Sequence, residues 1–381
     1  MDKIISILEN QQEEYLELLK NLVSIDCQST DIEGVNKIGD LLKSKFIKLG
    51  KEYNIKTIEQ EKCGNHILIT RKGRIPGKIL IIGHMDTVYP KGTITKRPFK
   101  IKENYAYGPG VSDMKNGIAS IYHALKTLDT LYKDDVKTIE VLFNSDEEIG
   151  SIYSKEYIKK YAKDADYALI LESARENGNV VTARKGVSRY KVKSYGQAAH
   201  SGTSHHKGCN AIVALSHKII TLSKLTDYEK KTTLNVGVIQ GGTTSNTVPD
   251  YCEAIIDVRT VSIEESKRID KAIKEICNKS EVKGTIIHVE GGLTRPPMEK
   301  LQGNNELYNL VKKIGESIGL NIGETFAGGG SDGNFTTYIG TPTIDGLGPI
   351  GGGDHSEKEY LDIKSIVPRT ALLVKLIKCL S

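Results

Sequence analysis

Five places in the 381-residue chain put imidazole or carboxylate groups at the ends of short apolar runs. Ligands of open α/β sheets bind at the carboxyl ends of strands, so the placement is informative. His84 and Asp86 follow KILIIG and lie two apart, which puts them on one face of an extended chain. A metal-bound imidazole commonly donates its other N–H to a carboxylate, and an acid at i+2 suits that task; a core or surface histidine fits the same pair. Asp113 stands in GPGVSDMK, just before a helical pattern. It reads either as the cap of a strand-to-helix turn or as a carboxylate held where two metals share it. Asp146, Glu147 and Glu148 follow VLF. Three consecutive acids suit a solvated loop, or a loop whose charge a cation absorbs. Neighbouring side chains point apart, so one acid can bind metal while the next faces substrate. Glu172 ends ALILE, where a buried acid needs a cationic partner or water. His355 lies in the flexible loop GGGDHS.

Together these places supply two imidazoles and three carboxylates, with a further Glu and an orienting Asp. Mixed nitrogen and oxygen ligands without thiolates suit Zn²⁺, and also Co²⁺ or Mn²⁺. Five ligands exceed what one tetrahedral zinc with an open position takes. They fit two metals sharing a carboxylate and a bridging water. On spacing alone, unrelated loops remain the alternative.

The elements that must position these groups follow from the periodicity. Helical patterns cover 3–22 and 35–49, then short apolar runs (66–70, 78–86, 138–146, 167–173) alternate with helix-like stretches, clearest at 115–131. That alternation predicts an α/β domain with a mostly parallel central sheet. Near Lys185 the pattern changes. VSRYKVKSYG alternates as a half-exposed strand, followed by a helix at 208–225, strands at 233–240 and 252–259, a helix at 263–279 and a strand at 283–290. This order is the ferredoxin-like α+β unit. Helix and strand alternation resumes from Arg295, through 304–319, 341–347 and 363–380. The expected organisation is one discontinuous α/β domain, 1–184 and 295–381, interrupted by an inserted domain at 185–294.

Composition narrows the function classes. With 53 Lys and Arg against 48 Asp and Glu, the net charge of +5 is mild and forms no basic stripe, which disfavours nucleic acid. No apolar run approaches the roughly 18 residues of a membrane span. The N-terminal pattern is a charged amphipathic helix, not a signal peptide. The six cysteines include no CxxC pair, which excludes a zinc-ribbon or thioredoxin-type motif and fits scattered free thiols in a cytoplasmic protein.

The motifs HMDTV, GPGVSDMKNG, DEEIGS, the isolated Glu172, AAHSG, GGTTSNTVPD, GGGSDGNF and DHSEKEY occur in the order of the M20 metallopeptidases. The chain resembles that family over roughly residues 65–365, most closely its glutamate carboxypeptidase (carboxypeptidase G2-like) branch. The resemblance implies a zinc-exopeptidase-like catalytic domain with a ferredoxin-like lid and dimerisation domain. It implies that His84 and Glu172 bind one zinc, that Glu148 and His355 bind the other, and that Asp113, followed by a cis peptide, bridges them. Asp86 orients His84, and Glu147 is the general base. His200 stabilises an oxyanion in the partner subunit's site, and Asn246 and Arg259 hold the substrate's terminal carboxylate. A loop histidine and an Arg paired with a nearby acid are the bland readings of His200 and Arg259. The run Gly328, Gly329, Gly330 either lets backbone approach the substrate or only makes a turn, and Arg295 is a candidate partner for a side-chain carboxylate.

The function so implied is hydrolysis of an amide next to a free α-carboxylate, releasing a C-terminal amino acid, such as glutamate, from a peptide or N-acyl amino acid, in a homodimer built through the inserted domain. An N-acyl-amino-acid deacylase of acetylornithine or succinyl-diaminopimelate type is the rival within the class. A non-catalytic carboxylate-binding or scaffold protein is the rival outside it, and retention of Glu147 with all five ligands counts against it.

Overall fold

The run KILIIGH forms the middle of a six-stranded sheet in the computed structural model, which describes residues 2–381. The strands are β1 (Tyr53–Ile58), β2 (His66–Arg71), β3 (Ile75–His84), β4 (Lys137–Asn144), β5 (Tyr167–Ile170) and a two-residue strand, Thr343–Ile344, in the order β1-β2-β4-β3-β5-(343–344). The last four of that order run parallel. Only β2 is reversed, antiparallel to both β1 and β4. Ile79, Leu80, Ile81 and Ile82 have no exposed surface. Alternate residues face opposite layers: Ile79 and Ile81 join the core shared with helices Asn116–Tyr132, Gln302–Ser317 and Ile366–Leu380, whereas Leu80 and Ile82 join Ile158 and Phe335 on the other side. A strand covered on both faces is continuous in apolar residues, as read.

Register aligns the carboxyl ends. His84 pairs with Asn144, and Ile82 with Ile170. The acids after β4 and β5 therefore leave the sheet beside His84. A second, antiparallel ladder joins segments far apart in sequence: Gly351–Gly352, Tyr360–Asp362, Tyr105–Tyr107 and Lys100–Lys102. Tyr360 pairs with both Tyr107 and Gly352. The loop from Gly108 and the loop 353–359 thus start from adjacent strands. The pattern at 3–22 is two helices, Lys3–Asn10 and Gln12–Val23, divided at Gln11. The next helix is Ile32–Leu49, capped by Asp31, whose carboxylate accepts from Gly34 N–H at 3.2 Å.

The chain forms two compact units. The one just described comprises Met1–Ala183, Lys300–Phe326 and Ser331–Ser381; the other comprises Arg184–Glu299 and Ala327–Gly330. The second unit carries β6 (Gly186–Tyr195), β7 (Thr233–Gly241), β8 (Tyr251–Thr260) and β9 (Ile286–Arg295), antiparallel in the order β7-β8-β6-β9. Every second residue of β8 from Cys252 to Thr260 is buried, and Ala254, Ile256 and Val258 pack with Leu215, Leu222, Ile269 and Ile273 of helices Ala211–Ser223 and Ile263–Cys277. Two helices crossing between four such strands make the ferredoxin-like arrangement. Among the described residues no helix is long and apolar enough to cross a membrane.

Candidate metal centre

Within the first unit, five side chains from five segments meet. His84 ends β3, Glu148 and Glu172 follow β4 and β5, and Asp113 and His355 come from the two loops that leave the small ladder. Their ligand atoms form two groups, His84–Asp113–Glu172 and Asp113–Glu148–His355, each with all atoms within 4.8 Å of one another. Asp113 belongs to both. Its Oδ1 lies 2.9 Å from His84 Nε2 and its Oδ2 lies 3.1 Å from His355 Nε2. Glu172 Oε1 lies 3.7 Å from His84 Nε2, and Glu148 Oε2 lies 3.2 Å from His355 Nε2. The Asp113–Met114 peptide is cis.

The electrostatics are those of a site with surplus negative charge. Burial, and then the charge of Asp113, push the Glu148 carboxyl up to about 8. The same two causes raise Glu172 well above the carboxylate range. Burial opposes ionisation of Asp113, but hydrogen bonds from His355 and His84 hold it well below the usual range. Asp113 and then Glu148 push His355 up to about 11. Burial of His84 opposes its charge, yet Asp113 and Asp86 raise it well above the ordinary imidazole value. Glu148 Oε1 is buried without a hydrogen-bond partner. Clustered acids that take up protons, one with an orphaned oxygen, are what a divalent cation would satisfy. The set of imidazole and carboxylate donors without sulfur fits such ions.

Asp86 is fully buried, and its carboxylate does more than face His84. It accepts from Glu147 N–H (3.2 Å), Glu148 N–H (3.1 Å) and the Ser29 hydroxyl (2.6 Å). His84 Nδ1 lies nearer to the Asp86 backbone carbonyl, at 3.0 Å, than to its carboxylate, at 3.5 Å. The sequence expectation emphasised the side-chain contact; the turn Glu147–Ile149 is what the carboxylate mainly secures. Glu147 sits in that turn, and its charge contributes to raising both Glu148 and Glu172. Asp146 turns away from the cluster and accepts from Tyr153 and Ser154 N–H at 2.6 and 3.3 Å.

The remaining sequence candidates lie in the second unit. His200 Nδ1 accepts from Gly202 and Thr203 N–H at 3.1 and 3.2 Å. With Nδ1 accepting, Nε2 is the ring nitrogen left to donate. His200 pairs with Thr247, and Asn246 O accepts from Ser201 N–H at 3.0 Å, so His200 and Asn246 occupy one small ladder. Arg259 forks onto Asp257 through Nε–Oδ1 (2.6 Å) and Nη2–Oδ2 (3.2 Å), because residues two apart on a strand share a face. Gly329 and Gly330 offer their carbonyls to Arg184 Nη1 at 3.2 and 3.4 Å. A Cβ on Gly330 would lie 2.6 Å from Cδ of Arg295, itself buried at the end of β9. The sequence reading passed over Ser29 and Glu359; the latter stands in DHSEKEY, where its type alone does not separate it from solvated neighbours.

The sequence profile of peptidase family M20/M25/M40 matches residues 80–378. The chain is 32% identical over 374 residues to carboxypeptidase G2 of Pseudomonas sp. (strain RS-16), covering 97% of this chain and 89% of that protein. It is 31% identical over 265 residues to acetylornithine deacetylase of Vibrio campbellii (strain ATCC BAA-1116), covering 64% and 68%. Its fold is similar to the crystal structure of a tripeptidase from Staphylococcus aureus subsp. aureus Mu50, with a TM-score of 0.81 at 24% identity, covering 97% and 98% of the two chains.

Proposed function

This chain belongs to peptidase family M20/M25/M40, and on that premise we propose that it is a dinuclear metallo-carboxypeptidase. Its substrate is an amide next to a free α-carboxylate, and the product is a C-terminal amino acid, with glutamate the leading candidate. The observation that carries this reading is Asp113, whose two oxygens each meet a different imidazole, with one further carboxylate beyond each. His84 and Glu172 would hold one ion and Glu148 and His355 the other, with Asp113 between them; zinc suits the donors, as do cobalt and manganese. Such ions supply Lewis acidity, making water acidic enough to attack at neutral pH and polarising a carbonyl.

The chain's own groups do the rest. Glu147 takes the proton of the attacking water and returns it to the leaving nitrogen, so that the C–N bond breaks to an acid and an amine. Asp86 keeps that base beside the ligands by holding the amides of Glu147 and Glu148. His200, with its proton on Nε2, is a donor for the developing oxyanion. Asn246 and Arg259 take the α-carboxylate, Arg259 exchanging Asp257 for substrate. Gly329 and Gly330 border the substrate, and Arg295 meets a side-chain carboxylate. These roles in the second unit are supported by the family resemblance and, for His200, by its tautomer.

Dimerisation through the second unit is part of the same proposal. Val213 and Ile220 on helix Ala211–Ser223, and Val238 and Ile239 on the edge strand β7, are exposed. Apolar side chains beside unpaired edge amides favour association. The six free cysteines suit a reducing, cytoplasmic setting. An N-acyl-amino-acid deacylase is the second reading, supported by the acetylornithine deacetylase relative.

The test is Glu147→Gln. The variant keeps two metal equivalents and loses about 10²–10⁴-fold in kcat; a metal-loaded variant with wild-type kcat removes Glu147 as the base. Ranking kcat/KM of the zinc-loaded enzyme over peptidyl, N-acetyl and N-succinyl amino acids separates the two substrate classes.

A further inference from the structure

A buried carboxylate without a role so far lies between two of the ligand-bearing loops. Glu359 is 1% exposed and accepts three backbone N–H bonds: Gly110 at 2.9 Å on Oε2, and Ser112 at 2.8 Å and Asp113 at 3.0 Å on Oε1. It stands four residues after His355, at the entry to strand Tyr360–Asp362. The other side of that loop is also tied. The Ser356 carbonyl accepts from Tyr89 Oη at 3.0 Å and Arg97 Nη1 at 2.8 Å, and the Arg97 guanidinium lies 4.5 Å from the Tyr89 ring centroid.

An anion meeting successive backbone amides is the usual content of a concave loop of this kind, where a phosphate or other ion often sits. Here the anion is the chain's own carboxylate, and it belongs to the loop that carries His355. Because one of its donors is the Asp113 amide itself, the Asp113 backbone cannot move relative to Glu359, four residues along the loop from His355, without breaking a charge-assisted hydrogen bond.

We propose that Glu359 is a positioning residue of the dinuclear centre, fixing the span between Asp113 and His355 so that each oxygen of Asp113 serves a different ion. It rests on the two-ion reading above. The step lies in the backbone, not in contact with substrate or ion.

The test compares wild type with Glu359→Gln and Glu359→Asp. Zn²⁺ stoichiometry and Kd are read by competition with a chromophoric chelator, and geometry by the visible absorption of the Co²⁺-loaded protein. In E359Q one N–H faces a backbone N–H whichever way the side-chain amide turns. The second ion should then bind about 10–100-fold more weakly, the Co²⁺ bands should change, and kcat should fall with KM unchanged. E359D, which restores charge one methylene short, should recover part of the affinity. E359Q binding two ions with wild-type Kd and an unchanged spectrum overturns the proposal. Should the variants fail to fold, hydrogen exchange in metal-free wild type decides: amides of the 108–115 segment must be protected, and rapid exchange there overturns the proposal. Wild-type protein that binds no divalent ion overturns the two-ion reading instead, a result distinct from either outcome.

Discussion

Replacing Asp86 by Asn changes one buried oxygen into a nitrogen, and the surroundings dictate the cost. The oxygen that meets Ser29 and Glu148 has two donors, one of them at 2.6 Å, so the Asn oxygen takes that place. The amide nitrogen then faces Glu147 N–H at 3.2 Å, donor against donor. One hydrogen bond to a charged group is lost, about 1.5–3 kcal/mol, and a buried donor is left unpaired, about 1–3 kcal/mol more. The sum is about 2.5–6 kcal/mol, a large share of a stability of about 5–15 kcal/mol. At about 2–4 °C per kcal/mol for large domains, the melting temperature should drop by roughly 10 °C. The assay is thermal unfolding of chelator-treated protein, so that bound ions do not mask the loss. The chemical consequence is specific. Because the carboxylate secures the Glu147–Ile149 turn, kcat should suffer more than KM. A D86N protein with wild-type melting temperature and wild-type kcat would refute the assignment of Asp86 to that turn.

Two buried histidines set a pH dependence of stability. Burial is the largest cause lowering both His66 and His123 to about 4 from 6.5, so the unfolded chain binds more protons than the native one between these values and stability falls as pH drops through that window. At pH 5 the loss is about 2 kcal/mol for each, and urea unfolding of an H66Q/H123Q variant should lose about 4 kcal/mol less than wild type between pH 7.5 and 5; equal losses would exonerate the histidines. Arg259→Ala should raise KM about 10–100-fold with kcat little changed, the worth of a charged hydrogen-bond pair; an unmoved KM would leave Asp257 as its sole partner. Light scattering should give twice the 41.9 kDa chain mass, and I220E with V238E should give monomers; a wild-type monomer with full activity would exclude His200 acting in a partner's site.

Much of the centre was legible because parallel strands end together. Once KILIIGH, TIEVLFN and YALI are strands, their following residues must meet at one edge, and His84, Glu148 and Glu172 do. The ferredoxin-like unit was legible because β8 alternates without a break. What brings Asp113 to His355 was not. That work falls to strands of two and three residues, GG, YAY and YLD, too short for any period to register. β1, YNIKTI, also escaped, since only its ends are buried. The segment Ala327–Gly330 sits with the second unit through contacts such as Lys185 N–H to the Ala327 carbonyl at 3.0 Å, a pairing of residues 142 apart that no local pattern encodes.

The acids divide into two kinds that sequence cannot tell apart. Asp113, Glu148 and Glu172 face one another and two imidazoles; burial and then the charge of Asp113 raise Glu148 and Glu172, while hydrogen bonds from His355 and His84 lower Asp113 against its own burial. Asp86, Asp146 and Glu359 are as well buried, but each meets backbone N–H groups instead: two from 147–148, two from 153–154 and three from 110–113. A carboxylate that accepts several amides gains charge-assisted hydrogen bonds without a cation, and in return fixes the turn that donates them, although at Asp146 both amides meet Oδ2 and Oδ1 has no hydrogen-bond partner. The first kind, left to themselves, must take up protons or repel. The second kind holds them in that unfavourable proximity. The loops around the centre are thus stiffened by the same residue type that loads it with charge, and adjacent acids such as Asp146 and Glu148 fall on opposite sides of the division because successive side chains leave a tight turn in different directions.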